Sequence, residues 1–378
     1  MKLETFSFSA EAGWSVPAFP ALDSPQTLVL VFGGSGFHED PTALAALVAA
    51  YPQSNVVGCS SSGEIHGPRI ADGSLSVAVL RFGKATLRVA GAVVATNGSS
   101  ADAGEALARS LAAPDLRAIF IVSDGLSVNG TDLLRGIHGS IPASVVVTGG
   151  LAGDGSRFKQ TWVLVDGEPR SGYVVGVGLY GESVGVSHGS RGGWDVFGPE
   201  RVVTRSEGNV LYELDGEPAL ALYKAYLGER AAGLPATALL FPLALRATHA
   251  SSDTLVRTIL SVDEANQTMT FAGDVPQESV VQLMRANFDR LVDGASQASH
   301  AAARPSTGET LSIAISCVGR RLVLGERAEE EVEAAFEAVT DAGKLIGFYS
   351  YGEISPFGPG QCGVLHNQTM TVTRFWEA

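Results

Sequence analysis

Three stretches of this chain read as a buried strand, a small-residue loop, an amphipathic segment and a second buried strand. In the first, Thr27-Leu28-Val29-Leu30-Val31-Phe32 runs into Gly33-Gly34-Ser35-Gly36. A helix over 41–50 follows, with Pro41 suited to its first turn, and then Asn55-Val56-Val57. In the second, Ala118-Ile119-Phe120-Ile121-Val122 leads through Ser123-Asp124-Gly125 to a helix over 131–137 and a strand at 145–147. In the third, Leu311-Ser312-Ile313-Ala314-Ile315 leads through Ser316-Cys317-Val318-Gly319 to a helix over 328–340. There Val332, Ala335, Phe336 and Val339 recur at i, i+3, i+4 and i+7, with Gly343 as the stop and Leu345-Ile346 as the next strand. Continuous apolar strands joined by helices imply parallel pairs with right-handed crossovers.

Elsewhere the period is two. Segments 74–80 and 86–94 alternate around Gly83, and 369–375 is a final alternating strand. Segments 161–165 and 172–180 read as the two arms of an antiparallel hairpin. A helix after Asp215-Gly216-Glu217-Pro218 turns Leu220, Tyr223 and Leu227 inward and stops at Gly228. Another is read after Gln277, with Val281, Met284, Phe288 and Leu291 inward and Gly294 at its end. The Ala/Gly/Pro-rich stretch 229–237 is the best boundary, giving a lead-in (1–26), an N-terminal domain (27–228) and a C-terminal domain (229–378). The fold class is mixed α/β. Two related halves of strand–helix–strand units carry antiparallel additions in layered sheets.

The halves are related because one phrase occurs twice. Gly58-Cys59-Ser60-Ser61-Ser62-Gly63-Glu64-Ile65 and Gly347-Phe348-Tyr349-Ser350-Tyr351-Gly352-Glu353-Ile354 both read G-x-x-S-x-G-E-I. A diluted third copy is Thr148-Gly149-Gly150-Leu151-Ala152-Gly153-Asp154. Each follows a strand and ends on a carboxylate, at the strand ends where ligands of α/β sheets bind.

Composition narrows the function. A hydrophobic content of 45% supports a large core, and 45 glycines among 378 residues point to many tight loops. A net charge of −14 argues against nucleic acid and anionic membranes as partners. The start, Met1-Lys2-Leu3-Glu4-Thr5, has no apolar leader stretch, and no apolar run approaches the length of a membrane span. With three cysteines and no CxxC pair, the expectation is a cytoplasmic protein in a reducing compartment.

These segments taken together resemble the FIST family. The resemblance rests on both phrases, on Gly149–Gly155 in order, and on Gly193-Trp194-Asp195-Val196-Phe197-Gly198 and Leu211-Tyr212-Glu213-Leu214-Asp215-Gly216. It extends through Ala272-Gly273-Asp274-Val275, Ser316-Cys317-Val318-Gly319-Arg320 and His366-Asn367-Gln368-Thr369-Met370-Thr371. It implies a sensory small-ligand-binding protein, with an amino acid or small carboxylate as ligand. The signal passes to a separate protein such as a histidine kinase. Some members resemble haem-binding nitric-oxide sensors, so haem is the alternative cofactor in a protein otherwise expected to have none, with His366 the best-placed ligand. A hydrolase using Cys59 or an acid pair is the second alternative. The family reading itself is not enzymatic.

The candidate ligand-binding residues are Cys59, Ser60, Ser61, Gly63, Glu64, Gly150, Asp154, Cys317, Arg320, Ser350, Glu353, His366 and Asn367. Glu64 and Glu353 either hold a ligand's cationic end or cap the amides of their own turns. Arg320 either clamps a carboxylate or pairs with Glu64 or Glu353. Arg321 is expected to face solvent. Cys59 has only His66 as a local base, and the loop lacks a nucleophile-elbow pattern. No His spacing supports a metal site. Gly33-Gly34-Ser35-Gly36 reads as a tight turn, and Trp194 and Phe197 as core aromatics. Glu64, Cys317, Arg320 and Glu353 are expected to line one cavity between the halves.

Overall fold

A computed structural model describes residues 1–94, 99–303, 308–339, 344–358 and 360–378. The expected helix stop at Gly343 lies outside the described residues. So does Thr340, the last residue of that expected helix.

The three strand–helix–strand units form as expected. In unit I, Thr27–Gly34 and Asn55–Ser61 pair in parallel across the helix Thr42–Ala50. In unit II, Leu116–Ser123 and Val146–Leu151 pair across Gly130–His138. In unit III, Thr310–Cys317 and Lys344–Ser350 pair across two helices, Val318–Leu324 and Ala328–Glu337. Each first strand also pairs antiparallel with a return strand: Leu75–Arg81, Tyr173–Tyr180 and Met370–Glu377 respectively. The mixed α/β architecture is therefore as the sequence implied.

The units interlock through the segments after the repeated phrases. Between its second parallel strand and its return strand, each unit lends a strand to another. Glu64–His66 of unit I pairs with Lys344–Ser350 of unit III. Gly352–Pro356 of unit III pairs with Val146–Leu151 of unit II. Val163 of unit II pairs with Cys59 of unit I. The exchange is cyclic, and it explains why small residues recur there. A Cβ on Gly58 would overlap the carbonyl of Val31, and one on Gly347 that of Ala314. The three sheets face a common core in which Phe32 meets Phe348 at 4.6 Å and Phe120 at 6.5 Å, while Phe120 meets Phe375 at 6.3 Å. Helices cover the outer faces, so these strands are apolar on both sides.

A fourth sheet is inserted between Val184–Arg191, which pairs with the return strand of unit III, and the rest of that unit. It runs Leu255–Arg257, Leu243–Arg246, Val280–Arg285, Asp195–Glu207, Val210–Leu214, Thr268–Phe271 and Ile259–Asp263. The expected boundary at 228–229 falls between strands of this sheet that pair with each other, Asp195–Glu207 with Val280–Arg285 and Val210–Leu214 with Thr268–Phe271. The helix Ala219–Leu227 forms as read, buries Leu220, Tyr223 and Leu227, and ends at Gly228 with φ of 58°.

Two local readings are corrected. The stretch after Gln277 is a strand, Val280–Arg285, and the helix begins at Phe288 and runs to Ala302. Its start is set by Asn287, whose side chain accepts from the amide of Arg290. Gly294 lies inside that helix. The strand Val163–Val165 turns at Asp166-Gly167, both at positive φ, and pairs with Glu168–Arg170 rather than with Tyr173–Tyr180. No helix among the described residues is long and apolar enough to cross a membrane.

Candidate functional site

The repeated phrase builds a clip. In unit I, Glu64 is buried and accepts from the amide and hydroxyl of Ser74, the residue leading its return strand, at 2.8 and 2.9 Å. In unit III, Glu353 is buried and accepts from Thr369 at the same place, from its amide at 3.2 Å and its hydroxyl at 2.9 Å. The Ser of the phrase completes each: Ser350 donates to Glu353 at 2.7 Å, and Ser61 bonds Glu64. Each carboxylate thus ties the departing segment to the returning strand. Burial pushes Glu64 up to about 7 and Glu353 up to about 8, against the donors that favour their charged forms. Neither amide belongs to the carboxylate's own turn: Ser74 stands ten residues beyond Glu64 and Thr369 sixteen beyond Glu353.

Neither Arg320 nor Glu353 lines the polar cavity or the apolar cleft at the strand ends. Arg320 is wholly buried, and its partner is Glu331, bonded through Nε at 2.8 Å and Nη2 at 2.6 Å. Ser316 and Tyr349 also donate to Glu331, at 2.7 and 3.1 Å. The remaining guanidinium protons reach the carbonyls of Leu291, Gly192 and Gln368. Arg320 is therefore tied to Glu331 and to three carbonyls; among the described residues it makes no ion pair with Glu64 or Glu353, and its charge acts on Glu353 only at longer range. Its neighbour Arg321 is not free in solvent. It pairs with Asp72 at 2.7 and 2.8 Å and donates to the carbonyl of Ser62.

The expected single cavity is divided. Ser61, Glu64 and Asp154 line a polar cavity of about 450 Å³ at the junction of units I and II. Its charged groups are engaged with surrounding side chains and backbone. Asp72 holds Arg321, and Arg157 bonds the carbonyl of Asp154 and the hydroxyl of Ser35. Cys317 instead lines a larger cleft of about 810 Å³. One wall is the strand ends of units II and III, at Gly125–Asn129 in order, Leu151, Cys317–Gly319 in order and Tyr351. The other wall is the inserted sheet, chiefly Thr258, Ile259, Leu260 and 271–273, with the loop 233–239.

No charged residue lines this cleft among those described. Leu126, Phe158, Leu260 and Leu322 are large apolar side chains left more than one-third exposed, and all four line it. An exposed apolar surface gathered in a concavity marks a binding site. Phe158 stacks on Tyr351 at 4.6 Å and 15° in a left-handed backbone conformation, φ 51°. Such backbone persists only when held. Asp154 holds it by accepting from the amides of Phe158, Lys159 and Gln160 at 2.8 to 2.9 Å and from the hydroxyl of Tyr351. Burial raises the Asp154 pKa, but these donors outweigh it and keep the carboxyl below its usual range. Asp154 thus shapes the mouth of the cleft from behind.

The other candidates line neither cavity. Cys59 is wholly buried in the core, where burial pushes its thiol well up, and His66 bonds Ser76 instead. Ser60 accepts from the amide of Trp162. Gly63 and Gly150 sit where the backbone is close-packed against Arg321 and Ile315. Asn367 is buried and donates to the carbonyl of His366. His366 is buried, with Nε2 on the carbonyl of Ser355 at 2.9 Å, and burial pulls its pKa down to about 4. Cys317 reaches the cleft, yet burial and the nearby Glu353 push its thiol up, so it is a neutral wall group. Trp194 is a core residue, as read, with Nε1 on the carbonyl of Gln368 at 2.8 Å. Phe197 packs beside Phe241.

Sequence reasoning missed Glu331, Phe158, Thr258, Leu260 and Leu322. A signal existed for Glu331, which shares a helical stripe with Ala328, Val332 and Ala335. The cleft residues lie on separate loops and gave none.

No curated protein matches the chain in sequence. Among solved structures, a cyanuic acid hydrolase from A. caulinodans is similar at 11% identity and a TM-score of 0.35. The match covers 100% of this chain and 98% of that one, and is too distant to argue from. The FIST N domain matches residues 27–217 and the FIST C domain residues 219–356. Together these matches span most of the chain, which belongs to the FIST family.

Proposed function

We propose that this protein is a sensory binding module whose ligand occupies the apolar cleft between units II and III and the inserted sheet. FIST domains are associated with small-ligand sensing in signal transduction. The observation that carries the reading is the uncharged, apolar wall, with four exposed large side chains turned into it. The ligand body is accordingly apolar. The opposed charges of an amino acid have no counterpart on this wall, and Arg320, expected to meet the carboxylate, lies elsewhere. Binding is the reading preferred to catalysis because burial and the nearby Glu353 hold the Cys317 thiol neutral. Occupancy would bias the position of the inserted sheet against the core, and a separate signalling protein would read that bias.

Nile red, a neutral apolar dye, tests the site. It should bind the wild type with a rise in emission. Leu260→Arg and Leu322→Arg should each abolish that rise while leaving the circular dichroism unchanged. Undiminished dye binding in both folded variants would overturn the assignment.

A further inference from the structure

The cleft carries one buried polar group with nothing to bond. Thr258 is 5% exposed, lines the cleft, and its Oγ1 has no hydrogen-bond partner among the described residues. An unmatched buried hydroxyl is costly, and such groups in native proteins ask for an explanation. Beside it in sequence stands Arg257, 4% exposed. Among the described residues its guanidinium bonds backbone carbonyls: Nε to Asp274 at 2.9 Å, Nη1 to Leu365 at 3.2 Å and to Val256 at 3.4 Å, while the Asp274 carboxylate acts on it without a hydrogen bond. The nearby Asp274 carboxylate is turned to Asn129 at 3.1 Å and Arg135 at 3.4 Å. Gly273, a residue of the cleft wall, separates the cleft from this cation. A Cβ there would stand 3.2 Å from Arg257 Cζ. The buried positive charge thus lies directly behind a wall residue that has no side chain.

We propose that the cleft takes an apolar monocarboxylate, its head bonded by Thr258 Oγ1 and facing the field of Arg257 across Gly273. The proposal rests on the reading of the cleft given above and names its ligand class. A carboxylate entering an apolar cleft loses hydration and needs fixed donors or positive charge in exchange. Thr258 and Arg257 supply one of each, and no wall carboxylate repels the anion. A cation meets no acidic side chain on the described wall and faces the Arg257 charge behind it. The ammonium of an amino acid finds no acidic side chain. A purely apolar ligand leaves Thr258 unmatched.

The test is calorimetry on the full chain with octanoate, octanol and octanamide at pH 8, where octanoate is ionised. Octanoate should bind at least about tenfold tighter than either neutral analogue. Thr258→Val and Arg257→Gln should each bring octanoate close to the level of octanol without weakening octanol. Thr258→Val keeps the side-chain shape, so it decides alone if Arg257→Gln fails to fold. Equal binding of octanoate and octanol by the wild type would overturn the carboxylate subsite and leave the cleft reading intact. So would an octanoate preference that survives Thr258→Val. Failure of all three compounds with Nile red still bound would overturn the ligand class. Failure of Nile red as well would overturn the cleft reading itself.

Discussion

Replacing Arg320 by alanine should destabilise the protein without touching the cleft. The side chain is wholly buried and pairs with Glu331 at 2.6 Å. Its removal leaves that carboxylate with only Ser316 and Tyr349, and breaking a buried pair from one side costs about 3–5 kcal/mol. The carbonyls of Leu291, Gly192 and Gln368 lose a donor as well, at about 1 kcal/mol each for the well-formed ones. The total is about 5–7 kcal/mol. For a chain of 378 residues the unfolding entropy is about 0.8 kcal/mol/K, so Tm should fall by roughly 6–9 °C. Scanning calorimetry measures this directly. The double variant Arg320→Met with Glu331→Gln should recover at least half of the loss, because no charge then remains buried alone. Ligand affinity of Arg320→Ala, measured at low temperature on folded protein, should match the wild type. A Tm within about 2 °C of wild type combined with lost binding would refute the reasoning and return Arg320 to the ligand.

Further outcomes follow from the same geometry. Glu353 titrates at about 8 when folded against 4.5 as its ordinary value, so the folded state holds the extra proton between those limits. Its contribution to stability therefore falls as pH rises from about 4.5 to about 8, by up to about 5 kcal/mol, and urea denaturation of Glu353→Gln across pH 5–9 should lack that slope. His366, held neutral down to about 4, acts in the opposite direction, and stability gained as pH rises from about 4 to 6.5 should vanish in a folded His366→Gln variant. Asp154→Ala should weaken Nile red binding several-fold with only a modest change in Tm, since it releases the Phe158 loop; unchanged binding would show that the loop is held without it. Gly347→Ala should accumulate as insoluble protein, because its Cβ would overlap the carbonyl of Ala314 in the adjoining strand; a soluble, wild-type-like melt would contradict that packing.

The three strand–helix–strand units were legible because burial on both faces demands continuous apolar runs, and helix periods between them are local. The phrase G-x-x-S-x-G-E-I was legible as a repeat, and its local part, Ser350 reaching Glu353 three positions away, lies within it, whereas Gly58 and Gly347 act on Val31 and Ala314 in other strands. The error at Val280–Arg285 shows the limit of local reading. A six-residue strand buried on both faces carries no alternation, and its apolar residues match a helical stripe equally well. What lay beyond the sequence was pairing at long range. That Glu64–His66 joins the sheet of Lys344–Ser350 depends on edges far apart in the chain, and that exchange separates Glu64 from Cys317 into different cavities. Arg320 looked like a ligand clamp because its charge is visible in sequence while its burial is not; only packing brought Glu331 and three carbonyls around it. The cleft is the extreme case. Phe158, Thr258 and Leu322 come from three elements with no shared period, so the sequence determined the scaffold and its clips, and only the docking of the inserted sheet onto units II and III decided where a ligand can sit.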